Sequence, residues 1–462
     1  MINRKKTTNK RYSKGLVAIL TVISLPFILL IVGLAIDTGK AYVVRSKLLA
    51  AVDAASIAAA RAVANGEQAG TTAANKYFTA NMPPDFYGAT SRFDGVSYAY
   101  DTFGNISIDV DASSEISNAF LSFIGFNSFK PTAVAQVIRR PVDLVLVIDN
   151  TTSLRLGSIG DVTQDVVDRS KSFVENFHES FDRISLVKFA FGAEVPVPFT
   201  AARGHNRTSI QTQIDAFNFG SSSNAQYTNA SEGFYAALNE LRNVSNPANL
   251  KVIVFFTDGA PNTFASQFSL TDGNDYIGSI RSSDGSRGTP RGLWKHDSIA
   301  TKLSGNGYEG SNIDDHLVEL PDYYTAHDST ATEFNILNPD HPVRPVSQYN
   351  RYAHSANNLY QRVNRVARNL VEDMATAARN EDIYVFTLGL GSSLTSSSGP
   401  DSEFGEDLLL RMANSPALLN DPDLSSDFHS DQLQGVYCHA VDEGALGPCF
   451  DEMLDVIIRL TM

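Results

Sequence analysis

Two carboxylates and two hydroxyls stand where apolar segments of this sequence run out. Asp149 follows the run Asp143-Leu-Val-Leu-Val-Ile148, with Thr151 and Ser153 at two-residue steps beyond it. Asp258 follows a second run, Lys251-Val-Ile-Val-Phe-Phe256, within Thr257-Asp258-Gly259. In an extended or turning loop alternate residues share a side, so Asp149, Thr151 and Ser153 can converge on one point. Oxygen donors with no His or Cys among them suit a hard divalent cation, most simply Mg²⁺ with several waters retained. Mn²⁺ and Ca²⁺ are the alternatives for such a set.

Catalytic readings of the same residues fare worse. An Asp at the end of the first strand of an α/β sheet is also the nucleophile of haloacid-dehalogenase-type phosphatases, which need an acid two residues later to protonate the leaving oxygen. Thr151 occupies that place, and the sequence offers no other nucleophile–base pair. Asp37-Thr38-Gly39 matches the triplet of aspartic proteases, but that chemistry needs a second carboxylate in a cleft, and no second triplet exists. Asp37 then reads as a charge marking a water interface. The expectation is a binding protein, not an enzyme; a metal-dependent hydrolase is the weaker alternative.

The elements that must position these residues alternate. A third apolar run, Ile383-Tyr-Val-Phe-Thr-Leu388, ends in Gly389-Leu390-Gly391, and helical patterns lie between the runs, the first from Ile159 to Phe177. Fully apolar strands alternating with helices predict an α/β fold with a doubly wound parallel sheet, whose site lies at the carboxyl ends of the strands.

This pattern resembles the metal-ion-dependent adhesion site of von Willebrand factor type A domains, Asp-x-Ser-x-Ser with a distant Thr and a distant Asp. The resemblance spans about residues 141–262 and 356–462, including the closing strand Gly435–Cys438 and helix Phe450–Leu460. It implies metal ligands Asp149, Thr151 and Ser153, then Thr228 in Tyr227-Thr228-Asn229-Ala230, then Asp258. Thr151 departs from the family's Ser but keeps a hydroxyl. The family leaves one coordination position open, commonly filled by an acidic side chain of a protein partner.

Between Asn262 and Ala356 the sequence is rich in Gly, Ser, Asp and Asn and shows no sustained helical period, which makes about 263–355 an insertion within a 141–462 domain. Rising directly after Asp258, it is expected to form a lid or specificity surface. Its histidines, His296, His316, His327, His341 and His354, are not paired at three- to five-residue spacing, so zinc is not expected. Only Cys438 and Cys449 occur, and they either form a disulfide closing a loop of about 12 residues or remain two buried thiols.

The other end of the chain is built differently. From Gly15 to Ile36 no residue is charged, and at 1.5 Å per helical residue this run covers about 33 Å, enough for a bilayer core of roughly 30 Å. Pro26 is tolerable there as a kink. A cleaved signal peptide would have a shorter apolar stretch and a small-x-small exit, whereas this run leaves into Asp37-Thr38-Gly39-Lys40. Residues 1–14 hold Arg4, Lys5, Lys6, Lys10, Arg11 and Lys14 and no acid, so they stay cytoplasmic and the rest is exported. The net charge of −14 therefore divides into +6 inside and −20 outside, a balance that excludes a general nucleic-acid binder.

Past the apolar run, Ala41, Val44, Leu48, Val52, Ala55, Ala59 and Ala62 continue a helix to the stop at Asn65-Gly66. Residues 88–113 alternate as strands around Phe103-Gly104-Asn105, and a short apolar helix at Ala119–Phe126 and a strand at Thr132–Ile138 complete a small α+β unit over 37–140. The exit Asp37-Thr38-Gly39-Lys40-Ala41-Tyr42 and the segment Lys47-Leu48-Leu49-Ala50-Ala51-Val52-Asp53-Ala54-Ala55 resemble TadG-like proteins of tight-adherence, or Flp, pilus assembly, closely over the first 65 residues and loosely over the next 75. Together the two resemblances imply a single-pass bacterial inner-membrane protein whose bulk is periplasmic or at the cell surface. Its partners would be pilus components; a free-standing adhesin for host or matrix ligands is the alternative.

Overall fold

The computed structural model describes residues 14–156, 160–219, 227–304, 307–347 and 356–462. Two compact units emerge: one comprises the chain to Tyr100 together with Ile106–Ile138, the other Asp101–Asn105 with Arg139–Met462. The basic tail up to residue 13 lies outside the described residues, as does His354.

In the first unit α1 runs unbroken over Lys14–Ala62, with Pro26 inside it. Its two halves differ in what they touch. Residues 17–36 expose almost every side chain, whereas Val44, Leu48, Ala51, Val52, Ala55 and Ala59 form a buried stripe. That stripe packs on α2 (Glu67–Asn81) and on a sheet of β1 (Ala89–Tyr100), β2 (Ile106–Ser117), β3 (Ser128–Phe129) and β4 (Thr132–Arg139). β2 supplies Ile106, Ile108, Val110, Ala112 and Ile116 at alternate positions, which is what a half-buried strand requires. β1 and β2 pair antiparallel, and the turn between them is closed by Asp101, whose carboxylate accepts the N–H groups of Phe103 and Asn105 at 2.9 and 2.8 Å. The expected helix at Ala119–Phe126 is instead a single 3₁₀ turn, Leu121–Ile124, in which only Leu121 is buried. The apolar content of that segment faces outward.

In the second unit β5 (Val142–Asp149) is buried at every position. After it come α3 (Ser153–Leu156), α4 (Thr163–Val174), β6 (Arg183–Phe189), β7 (Ala193–Val197), α5 (Arg207–Asp215), α6 (Ala230–Asn243) and β8 (Leu250–Thr257). The helix read from Ile159 to Phe177 is thus α4, and residues 157–159 are outside the described set. The insertion contributes β9 (Thr263–Ser269), β10 (Asp275–Arg281), β11 (Arg291–Trp294) and β12 (Ser311–Asn312), and the chain closes with α7 (Ala356–Asn380), β13 (Ile383–Leu390), the small ladder β14 (Ser397–Ser398) and β15 (Glu403–Phe404), α8 (Gly405–Ala413), β16 (Tyr437–Ala440) and α9 (Glu443–Thr461).

The central sheet has the order β16-β13-β8-β5-β6-β7. Its strands are parallel from β16 to β6, but β7 pairs antiparallel with β6, so the sheet is mixed and the wholly parallel expectation is corrected. A short return after Phe189 permits this, because an antiparallel neighbour needs only a tight turn and a parallel one needs a crossover. Alternate residues of β5 serve two cores. Val145 and Val147 pack with α6, α7 and α8, while Leu144, Leu146 and Ile148 pack with α4, α5 and α9. Each such side chain contributes about 1.5–3 kcal/mol on burial.

The insertion is not a loose appendage. β9 to β12 form a second, antiparallel sheet, and Phe264, Phe268, Ile280, Leu293 and Ile313 join the same core as α6 and α7. Of the two readings of the cysteines, the disulfide is formed: Cys438 of β16 is bonded to Cys449 of α9, with Cα atoms 5.5 Å apart.

Candidate metal centre

β5 and β8 lie side by side with Ile148 opposite Phe256, so Asp149 and Thr257 end adjacent strands at the same height. The chain then turns away from the sheet on both sides. After β5 the turn is anchored by Asn150, whose N–H donates to Phe189 O at 2.8 Å. The turn brings Thr151 N–H back to Asp149 Oδ1 at 2.8 Å, and the hydroxyls of Thr151 and Ser153 stand 2.7 Å apart. Ser153 Oγ in turn donates to Asp258 Oδ1 at 2.7 Å. Four of the five residues expected at the site therefore form one hydrogen-bonded chain, Asp149 to Thr151 to Ser153 to Asp258.

Thr228, the fifth, arrives from the residues ahead of α6. A Cβ built on Gly259 would lie 3.7 Å from Thr228 Oγ1, which places that hydroxyl against the loop carrying Asp258. Asn229 fixes the approach. Its side chain accepts Glu232 N–H at 3.2 Å as the cap of α6, and its own N–H donates to Ala190 O at 2.7 Å.

Residues that spacing did not single out hold this arrangement. Thr257 donates its hydroxyl to Asp149 Oδ2 at 2.6 Å. Asn262 accepts Thr228 N–H at 3.0 Å, returns its own N–H to Thr228 O at 3.1 Å, and donates from Nδ2 to Asp284 Oδ1 at 3.0 Å. Ser393 Oγ donates to Asp258 O at 2.7 Å. A hydroxyl directly before Asp258 was a visible signal for Thr257; nothing local points to Asn262, Asp284 or Ser393, because their roles depend on three separate segments meeting.

Electrostatically the site is a pair of acids held out of water. Burial raises Asp149 above the usual carboxylate range against the opposing hydroxyls of Thr257 and Thr151. Asp258 is raised well above the usual carboxylate range, first by burial and then by the charge of Asp149. No group of three or more His, Cys, Asp or Glu side chains suited to a metal is gathered among the described residues, so a centre here depends on hydroxyl oxygens as well as carboxylates. Two buried carboxylates and three hydroxyls fit a hard divalent cation, which would offset the repulsion between the acids. Among the described residues, the histidines of the insertion do not assemble such a set. His296 and His327 meet ring to ring at 4.8 Å, and His327 Nε2 is 2.9 Å from Glu232, whose other oxygen accepts the Tyr324 hydroxyl at 2.5 Å.

Asp37 corrects an expectation in the first unit. It is buried, and its carboxylate accepts the N–H groups of Ala119, Phe120 and Leu121 at 3.1, 2.9 and 2.8 Å. Rather than a charge left in water, it caps the 3₁₀ turn.

Family models match two parts of the chain. Residues 15–62 match the Flp pilus-assembly TadE/G-like family, and residues 144–260 match the von Willebrand factor type A domain, a stretch that contains all five residues of the site. No curated protein matches. Among solved structures, the chain is similar to the vWF domain of the type V pili tip protein Mfa5 from Porphyromonas gingivalis, with 14% identity over 71% of this chain and 98% of that one and a TM-score of 0.37. It is also similar to the PilB minor pilin from Streptococcus sanguinis, with 14% identity over 82% of this chain and 81% of that one and a TM-score of 0.36. A third is proximal thread matrix protein 1 from the mussel byssus with a zinc-occupied MIDAS motif, with 12% identity over 69% of this chain and 46% of that one and a TM-score of 0.34. The chain spans about half the length of that mussel structure.

Proposed function

We propose that this chain is a membrane-anchored protein of Flp-type pilus assembly or pilus-associated adhesion, and that it recognises an acidic side chain of a protein partner through a divalent cation. Asp149, Thr151, Ser153, Thr228 and Asp258 would hold the ion, with Mg²⁺ the first choice and Mn²⁺ or Ca²⁺ the alternatives. When bound, the cation supplies one position where a carboxylate is welcome on an otherwise acidic body. The observation that carries this reading is the hydrogen-bonded chain from Asp149 to Asp258 at the carboxyl ends of β5 and β8. An all-oxygen set favours these ions over zinc, which prefers nitrogen and sulfur.

The protein's own residues do the rest. Thr257 and the Thr151 amide orient Asp149, and Asn262 pins the backbone of Thr228. The role is binding and not catalysis, since Thr151 stands where a phosphatase-like Asp149 would need an acid. The exposed apolar half of α1 supports an inner-membrane anchor, with residues 1–14 cytoplasmic and everything after Ile36 exported to the periplasm or cell surface. The match of residues 15–62 to a pilus-assembly family favours pilus components over host ligands as partners.

Proximity labelling in intact cells tests this reading. The wild-type chain should label pilus proteins and the Asp258→Ala chain should lose that label while remaining in the membrane. Equal labelling by both would remove the site from partner recognition.

A further inference from the structure

The segment after β2 is short, apolar and turned outward. Phe123 is 87% exposed and Phe126 65% exposed, with Phe120 and Ile124 also exposed. Four such side chains on eight residues form a patch that a water-facing loop has no reason to carry.

Its placement is fixed by two contacts with α1. Asp37 takes the three amides of Ala119, Phe120 and Leu121, and Phe120 lies directly on Gly33, where a Cβ would sit only 2.3 Å from Phe120 Cβ. Gly33 is accordingly buried while Val32 and Leu34 beside it are exposed. Gly33 lies three residues before the end of the uncharged run at Ile36, a distance of about 4.5 Å along the helix. The loop is therefore level with the last apolar turn of α1 and continuous with its exposed face.

Two further features suit that depth. Part of the loop's polar backbone is satisfied from within: Gly125 N–H reaches Ser122 O at 3.1 Å, Phe126 N–H reaches Leu121 O at 3.1 Å, and the Asn118 side chain donates to Phe126 O at 2.9 Å. Apolar surroundings demand such closure. The carboxylate at this level, Asp37, is covered by amides, and the cations come next along the helix, with Lys40 donating to Ser117 O at 3.3 Å and Arg45 exposed beyond it. Apolar side chains below and cations above is the order of a bilayer boundary with acidic headgroups.

We propose that residues 119–126 are an interfacial wedge, in which Phe120, Phe123, Ile124 and Phe126 enter the headgroup–acyl boundary of the bilayer beside the exit of α1. The wedge rests on the reading of α1 as a membrane anchor. It gives the exported unit a second point of attachment, so that α1 cannot swivel freely relative to the membrane plane.

Tryptophan fluorescence of the full chain in phosphatidylcholine–phosphatidylglycerol vesicles, with and without lipid brominated near the headgroup end of its acyl chains, tests both levels. The native Trp294 is buried in the other unit and supplies a constant background. Phe123→Trp probes the loop at a position with no core contact to lose, and Leu30→Trp probes the helix. Quenching of both variants by brominated lipid, with a shift of the Phe123→Trp emission to shorter wavelength, is the expected result. Quenching of Leu30→Trp alone would overturn the wedge and leave the anchor standing. Quenching of neither, or of Phe123→Trp alone, would overturn the spanning helix and the wedge's placement with it. A Phe123→Trp emission that shifts only as the protein-to-lipid ratio rises, without quenching, would assign the patch to a second copy of the chain and overturn the lipid assignment.

Discussion

Thr257 donates its hydroxyl to Asp149 Oδ2 across the junction of two neighbouring strands, at 2.6 Å. The last residue of β8 thereby sets the orientation of the carboxylate that ends β5. A carboxylate free to rotate would lose alignment with Thr151 and Ser153. Thr257→Val, which keeps shape and removes the donor, is expected to weaken divalent-ion affinity by about 10-fold, in the range usual for groups that orient a ligand. Titration calorimetry reads the affinity, and an unchanged circular dichroism spectrum confirms that the sheet survives.

Asp37 offers a separate test in the first unit. Burial opposes its ionisation, but the amides of Leu121, Ala119 and Phe120 outweigh burial and hold it below the usual carboxylate value of 3.8, with a smaller contribution from Lys40. A lowered folded value means that the charged form is preferred in the fold, so its stabilisation is present above the unfolded value and lost as pH falls through the folded one. Asp37→Ala should cost about 1–2 kcal/mol, as for loss of a helix cap. Hydrogen exchange at the Ala119, Phe120 and Leu121 amides should accelerate in the variant at neutral pH.

A pH effect of opposite sign is expected in α7. Asp373 is raised to about 7, chiefly by burial and then by the charge of Glu372, against the attraction of Arg344. Its stabilising contribution is full below the ordinary carboxylate value and declines as pH rises through about 7. Asp373→Asn should raise the melting temperature most at pH 8, less at pH 5, and leave it nearly unchanged below the ordinary carboxylate value of 3.8. Equal shifts at pH 8 and pH 5 would contradict this assignment.

The Cys438–Cys449 bond ties the edge strand β16 to α9. Replacing both residues by Ser is expected to destabilise the second unit by about 2–3 kcal/mol, the usual effect of opening a loop of this size. In a domain of this length that corresponds to a fall in melting temperature of roughly 4–12 °C. Reductant should reproduce the shift in the wild-type chain and have no effect on the variant.

What the sequence disclosed follows from how local each signal is. Asp149, Thr151, Ser153 and Asp258 were legible because each follows an apolar strand, and strand ends are where an α/β sheet gathers its chemistry. Thr228 was reachable only through family resemblance, since it precedes a helix with nothing nearby to mark it. Asn262 and Asp284 act through a contact between the start of the insertion and the loop before α6, and no periodicity encodes such a contact. The antiparallel β7 escaped notice because Ala193–Val197 is short, contains Pro196 and is only partly buried, so it lacks the continuous apolar run of its neighbours. The insertion looked loop-like through its Gly, Ser and Asp content, yet Phe264, Phe268 and Ile280 carry it into the core. Asp37 was misread for a related reason: a charge at the end of an apolar run looks like a water marker until its three amide partners, more than 80 residues away, are known.

Whether Asp149, Thr151, Ser153, Thr228 and Asp258 bind a divalent ion is tested most directly by calorimetric titration of the full chain with Mg²⁺ and Mn²⁺, beside Asp149→Ala and Asp258→Ala. Saturable binding of one ion by the wild-type chain, absent from both variants, is the predicted result. Identical titrations for all three chains would contradict the account.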